Sequence, residues 1–258
     1  GAGSTILPKL CADLGCHVTT INCNGDGNFT RVAEPLAENL KNLEEKVLEV
    51  GADIGFATDP DGDRLSIVSN KGYAIGEEYT LALSFKNFIN YQKSMIVTNL
   101  STSRMIDDIS SGSIRTKIGE AHVVEKMKEL NILIGGEGNG GVILKEVHLG
   151  RDSLVAIAMI LNLLSRDNKS LNEIISEIPS YIFIKDKINI DNSINFDSLA
   201  TLFDCDEINT EDGIKFIWSD KWIHIRKSNT EPIIRIFAEA KTENEVNDLI
   251  QTLKDYLK

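Results

Sequence analysis

The stretch Asp59-Pro60-Asp61-Gly62-Asp63-Arg64 constrains this chain more than any other. Pro and Gly alternate with carboxylates, so the segment can be neither a helix interior nor the middle of a central strand. Ala52–Ala57 before it and Leu65–Val68 after it read as short strands. The six residues therefore form a tight loop between two strands. Carboxylates crowded this closely repel one another unless a positive charge sits among them. A hard divalent cation with oxygen ligands is one solution, and such an ion commonly keeps a phosphate oxygen in its remaining shell. Arg64 suits that picture, because a guanidinium can clamp the same phosphate. A solvated acidic turn has the same composition. A calcium EF-hand loop does not fit: it needs Gly at its sixth position and Glu at its twelfth, where this chain has Arg64 and Asn70. An aspartyl-phosphate phosphatase remains an alternative, with Asp59 as nucleophile. The strand directly after Arg64, where a helix would be expected, counts against it.

The rest of the sequence narrows the class. With 258 residues the chain is long enough for more than one domain. Its net charge of −12 excludes a general nucleic-acid or anionic-membrane binder. It does not exclude an anionic ligand, since a few focused arginines outweigh a distant acidic surface. Cys11, Cys16, Cys23 and Cys205 show no CxxC spacing, and reduced thiols in a cytoplasmic protein are the simplest account. No apolar run approaches a membrane span.

Helical and β-rich segments alternate through most of the chain, which is the pattern of an α/β layer. Helices are expected at Thr5–Leu14, from Pro35 to Val50, at 76–91, Ser103–Ile109, Glu120–Leu130, 152–164 and 170–177. Strands are expected at His17–Ile21, 95–98 and 132–134. After Pro179 the texture changes. Strand-like runs at 182–190, 214–219, 222–226 and 233–240 precede a closing helix at 243–257. The expected fold is α/β: two consecutive mixed-sheet α/β domains (1–72 and 73–178) and a smaller α+β C-terminal domain (179–258).

Two further stretches offer chemistry. Gly135–Gly141 has neither the spacing of a dinucleotide-binding fingerprint nor the Lys of a Walker loop. Its distinctive members, Glu137 and Asn139, would point to the same side of a strand-to-strand loop. A carboxylate and an amide so placed suit a pair of sugar hydroxyls; a plain hairpin turn has the same composition. Arg226-Lys227-Ser228-Asn229-Thr230-Glu231-Pro232 lies between two strands. It offers a guanidinium, hydroxyls, an amide and backbone N–H groups, the inventory of a phosphate nest. Arg235 on the following strand adds a second charge, although surface arginines on an ordinary turn would look alike. The four histidines have no metal-ligand spacing.

Taken in order, Asp59–Arg64, Gly136–Gly141 and Arg226–Pro232 resemble the α-D-phosphohexomutase family of phosphoglucomutases, phosphomannomutases and phosphoglucosamine mutases. The resemblance spans essentially the whole chain. It implies interconversion of hexose 1-phosphates and 6-phosphates through a hexose 1,6-bisphosphate, with a phosphoserine donating and retrieving the phosphoryl group. It implies Asp59, Asp61 and Asp63 as Mg²⁺ ligands and Arg64 beside the transferring phosphoryl group. Glu137 and Asn139 would hold sugar hydroxyls, and Lys117 would face the substrate. Arg226, Ser228, Asn229 and Thr230, with Arg235, would grip the phosphate that does not react. Three departures stand out. Asn139 stands where many members have Ser, and Lys227 replaces a common Pro. Gly141 falls where some members have a histidine assigned to proton transfer, which leaves the general acid–base open. The family's Ser-His-Asn-Pro type loop does not occur in this sequence, and Gly1–Ser4 matches the start of the family's second domain. The expectation is therefore domains two to four, inactive alone and completed by an N-terminal phosphoserine domain of the same protein. A non-catalytic sugar-phosphate-binding module would carry the same loops.

Overall fold

The computed structural model describes residues 1–90, 94–189, 199–228 and 232–257. They fall into two compact units, Gly1–Ile178 and Pro179–Lys258.

The first unit begins with helix α1 (Gly3–Asp13), followed at a distance by helix α2 (Lys41–Val50). Gly51 ends α2 in the left-handed conformation at φ +64°, where glycine carries no Cβ penalty. Strands β1 (Ile54–Thr58) and β2 (Leu65–Ser69) pair antiparallel, from Ile54 opposite Ser69 to Thr58 opposite Leu65. That register leaves Asp59–Arg64 as the connecting loop. Every residue of β2 is buried: Val68 packs with Leu40 and Val47, and helices α3 (Glu78–Ile89) and α6 (Ser153–Asp167) cover the strand as well.

A four-stranded mixed sheet follows. It is built from β3 (Ile96–Asn99), β4 (Ser113–Thr116), β5 (Ile134–Glu137) and β6 (Gly141–Leu144), in the order β4-β3-β5-β6. β3 runs parallel to β4 and β5, while β5 and β6 form an antiparallel hairpin. Helix α4 (Met105–Ile109) links β3 to β4, and α5 (Glu120–Leu130) links β4 to β5. Val123 and Met127 of α5 pack on Val97 and Ile143. The Asp152 side chain caps α6 by accepting from the N–H groups of Leu154 and Val155. Helix α7 (Leu171–Ser176) opens on a Ser170/Glu173 capping box. The parallel strands end at Asn99, Thr116 and Glu137, and ligand sites of open α/β sheets lie beyond such carboxyl ends.

The second unit is a five-stranded antiparallel sheet of β7 (Ile182–Asn189), β8 (Glu207–Asn209), β9 (Ile214–Ile217), β10 (Trp222–Lys227) and β11 (Ile233–Ala240). The spatial order is β7-β11-β10-β9-β8. Helix α8 (Glu243–Tyr256) closes it, packing Val246, Leu249 and Leu253 into a core with Phe216, Ile223, Ile236 and Ala238. A Thr242/Glu245 capping box starts this helix.

The structure corrects three expectations. His17–Ile21 forms no strand. These residues and Ile54 and Phe56 of β1 line one cavity of about 1000 Å³. Among the described residues β1 is bonded only to β2, so the β-prone run has no strand partner there, and propensity without a ladder does not make a strand. The helix expected from Pro35 begins later: a single 3-10 turn at Ala37–Asn39 precedes α2, and Val50 is exposed. The strand expected at 132–134 starts only at Ile134 and runs on through two glycines to Glu137.

Candidate functional site

Asp59 is buried at 6 % exposure, Asp61 is exposed, and Asp63 is between. One carboxylate oxygen from each lies within 4.8 Å of the other two. Gly62, at φ +78°, makes the turn that brings them round. The Asp59 Oδ1 accepts three backbone N–H bonds, from Gly62, Asp63 and Arg64, each at 3.1 Å. Its other oxygen stands 3.4 Å from Arg64 Nε. Burial, followed by the charges of Asp63 and Asp61, pushes the Asp59 carboxyl up to about 6, while the Arg64 N–H pulls the other way. Asp63 Oδ1 is buried and accepts no hydrogen bond, with Arg64 Nε 3.8 Å away. A repelling all-oxygen set that includes a buried carboxylate oxygen without a hydrogen bond fits a hard divalent cation.

Glu137, at the end of β5, is 2 % exposed. Its Oε1 accepts from Asn99 Nδ2 at 2.7 Å and from the Gly119 N–H at 3.0 Å. Its Oε2 accepts from Arg151 Nη1 at 3.1 Å and from Asn139 Nδ2 at 3.4 Å. Glu137 and Asn139 thus meet on one side of the hairpin. Asn139 also accepts from the Gly141 N–H at 3.2 Å, which holds the turn closed. The hairpin is fastened to the acidic loop, since the Leu65 N–H donates to the Gly140 carbonyl at 3.0 Å. At φ +88°, a Cβ on Gly140 would lie 2.3 Å from the Leu65 carbonyl oxygen, so only glycine permits this approach. Lys117 is exposed just beyond β4, two positions before the Gly119 N–H that binds Glu137. The sheet topology therefore gathers Asn99, Lys117 and Glu137 at one end.

In the second unit, Arg226 of β10 lies directly opposite Arg235 of β11. Like charges in that position are unfavourable unless something negative relieves them. Asp212 does so for Arg226, 3.3 Å from its Nη2. The Ser228 N–H bonds the Ile233 carbonyl at 2.9 Å. The expectations for Asn229 and Thr230 lie outside the described residues.

Three regions of the chain match family models described as phosphoglucomutase/phosphomannomutase domains: alpha/beta/alpha domain II over residues 1–72, alpha/beta/alpha domain III over 76–181, and the C-terminal domain over 187–255. The chain belongs to the phosphoglucomutase/phosphomannomutase family. It is 38% identical over 261 residues to a phosphoglucomutase/phosphomannomutase of Thermococcus kodakarensis, covering 97% of this chain and 57% of that protein. It is also 38% identical over 248 residues to a probable phosphoglucosamine mutase of Methanococcoides burtonii, covering 93% and 57%. A family crystal structure from Burkholderia thailandensis superimposes with a TM-score of 0.83 at 25% identity, covering all of this chain and 59% of the other. The chain thus spans somewhat under six-tenths of these three relatives.

Within this phosphohexomutase framework, two arginines of the site were not singled out from the sequence. Arg31 donates to the Thr58 carbonyl beside the acidic loop, and burial lowers its pKa against the pull of Asp59. Arg151 joins Asp63 to Glu137. An arginine in a polar loop carries no local mark of such a role. The nearest hint was its place beside the α6 cap and close to His148. That histidine instead pairs with Asp152 at 2.9 Å on the surface.

Proposed function

We propose that this chain supplies the metal, sugar and phosphate loops of a phosphohexomutase that interconverts hexose 1-phosphate and hexose 6-phosphate through a hexose 1,6-bisphosphate. The observation that carries the reading is the junction of the acidic loop with the Glu137 hairpin, in a chain of this family. Asp59, Asp61 and Asp63 would hold Mg²⁺, which offsets phosphate charge when bound. Arg64, beside the same carboxylates, would contact the transferring phosphoryl group, where positive charge lowers the barrier. Glu137 and Asn139 accept and donate to neighbouring sugar hydroxyls. The Asn139 bond to Glu137 is the longest of the four on that carboxylate, and a hydroxyl would displace it first. Lys117 adds a cation at the same sheet end. Arg226, Ser228, Asn229, Thr230 and Arg235 would grip the phosphate that is not reacting. The proposed domains are 1–72, 73–178 and 179–258.

The bisphosphate must present each of its phosphates in turn to one nucleophile. A hydroxyl site and a phosphate site that read features shared by both orientations permit this. The sequence holds no Ser-His-Asn-Pro type loop, so the phosphoserine comes from outside residues 1–258, and the chain alone does not turn over. The relatives include phosphoglucomutase/phosphomannomutase and phosphoglucosamine mutase names, and the substrate class is accordingly hexose phosphates. Among the described residues no helix is long and apolar enough to cross a membrane.

A coupled assay with glucose, mannose and glucosamine 1-phosphates, Mg²⁺ and a trace of bisphosphate tests this. Expected is no turnover by the chain alone, and turnover when the chain is joined to the family's phosphoserine domain. Turnover by the chain alone would place a nucleophile within these residues. No turnover by the joined protein would overturn the mutase reading.

A further inference from the structure

We propose that Arg151 is a positioning residue that aims the acidic loop at its cation and ties that loop to Glu137. The proposal rests on the reading of Asp59, Asp61 and Asp63 as a divalent-cation site.

Arg151 precedes the Asp152 cap of α6, and its side chain is 15 % exposed. Its Nη2 donates to Asp63 Oδ2 at 2.5 Å, its Nη1 donates to Glu137 Oε2 at 3.1 Å, and its Nε lies 3.1 Å from Glu120 Oε2. Its backbone N–H donates to Glu120 Oε1 at 3.2 Å. One planar group therefore spans three carboxylates, from the acidic loop, the end of β5 and the first turn of α5. Burial works to lower the Arg151 pKa, but Asp63, Glu137 and Glu120 together raise it above the ordinary value. The space it needs is kept open, since a Cβ on Gly141 would lie 2.3 Å from Arg151 Cδ. The next turn of chain adds a second grip: Ser153 Oγ donates to the Gly62 carbonyl at 2.6 Å.

The consequence lies in which oxygens remain. Arg151 engages Asp63 Oδ2, and the buried Oδ1 is the one without a hydrogen bond. Asp59 is divided in the same way, with Oδ1 taken by three N–H groups and Oδ2 left toward Arg64. Donors that occupy one oxygen of a carboxylate fix the direction of the other, and such outer partners commonly change metal affinity by about 10–100-fold. A lone guanidinium beside a cation site would repel the cation. Here Glu120 and Glu137 offset its charge, so its contribution is direction. A lysine in its place would keep the charge but not the fork.

The test is a Mn²⁺ titration, followed by electron paramagnetic resonance, of the parent chain, Asp61→Asn, Arg151→Lys and Arg151→Gln. Arg151→Lys is expected to weaken Mn²⁺ binding about tenfold or more, although charge is conserved. Arg151→Gln is expected to weaken it as well, although a repelling charge is removed. In an Asp63→Asn background, Arg151→Lys is expected to cost nothing further. An affinity for Arg151→Lys within twofold of the parent would overturn the proposal. So would tighter binding by Arg151→Gln, or a further tenfold loss in the Asp63→Asn background. Thermal unfolding in EDTA reads folding. If Arg151→Lys does not fold, Glu120→Gln removes the carboxylate that faces Nε and the Arg151 backbone N–H and is expected to weaken binding at least threefold; unchanged affinity would overturn the proposal. A parent that binds no Mn²⁺, or an Asp61→Asn variant that binds as tightly as the parent, overturns the cation-site reading and this proposal with it. A binding parent, a non-binding Asp61→Asn and an unaffected Arg151→Lys overturn only the proposal.

Discussion

Replacing Asp59 by Asn should make the metal-free chain more stable while removing its affinity for divalent cations. In the folded chain the Asp59 carboxyl is raised from 3.8 to about 6, by burial first and by its acidic neighbours next. Between those values the folded state holds a proton that the unfolded state has released. Stability from this group is therefore lost as pH rises through the window, and the penalty is complete above about 6. At about 1.4 kcal/mol per pKa unit the penalty is at most about 3 kcal/mol, and about 1–2 kcal/mol once screening by the solvated side of the loop is allowed for. Asparagine keeps an oxygen for the three N–H groups of Gly62, Asp63 and Arg64 and carries no charge. Asp59→Asn is expected to raise the melting temperature of the first unit by about 2–8 °C at pH 7.5 in EDTA. At pH 4 the difference should shrink, as the parent carboxyl is then protonated. The assay is far-UV circular dichroism. Tryptophan fluorescence is an internal reference, since Trp218 and Trp222, the two tryptophans of the chain, lie in the second unit. Excess Mg²⁺ should stabilise the parent but not the variant. A variant no more stable than the parent at pH 7.5, or a difference independent of pH, would refute the reasoning.

Three further outcomes are expected. The parent's divalent-cation affinity should fall about tenfold per pH unit below about 6, as Asp59 takes up a proton; titrations at pH 5 and 7 check this. Arg226→Ala should weaken glucose 1,6-bisphosphate binding at least about tenfold and leave Mn²⁺ binding unchanged; equal losses of both would indicate general disruption. His224 is fully buried, with its pKa lowered by burial to about 4. The unfolded state takes up that proton first as pH falls, so the second unit should lose up to about 3 kcal/mol between pH 6.5 and 4. Tryptophan fluorescence during urea unfolding reads the loss, and His224→Gln should flatten it.

Local chemistry made much of the fold legible. Ser170, at the start of the short helix expected at 170–177, caps it where its side-chain oxygen meets a free N–H group, and such a cap can be read from a short window. The acidic loop was legible because Pro60 and Gly62 forbid regular structure and β-prone runs flank it. The strand expected at His17–Ile21 failed because a strand also requires a partner, which no short window contains. β8, only Glu207–Asn209, is held by its ladder to β9 and carries little pattern of its own. In the site, Glu137 and Asn139 were visible as an acid and an amide among glycines. Arg151 was not, because its role lies in reaching Asp63, 88 positions away, and sequence spacing does not encode that distance. Asn99 was hidden in the same way: its bond to Glu137 crosses from β3 to β5 and depends on the order of the sheet.

The most direct measurement is ³¹P nuclear magnetic resonance of glucose 1,6-bisphosphate with the chain and Mg²⁺. Both phosphate resonances should shift or broaden, no inorganic phosphate should appear, and the perturbation should weaken in Asp61→Asn and in Arg226→Ala. Release of inorganic phosphate would point to Asp59 as a phosphatase nucleophile, and unperturbed resonances would mean that the loops bind no hexose phosphate; either result would contradict the account.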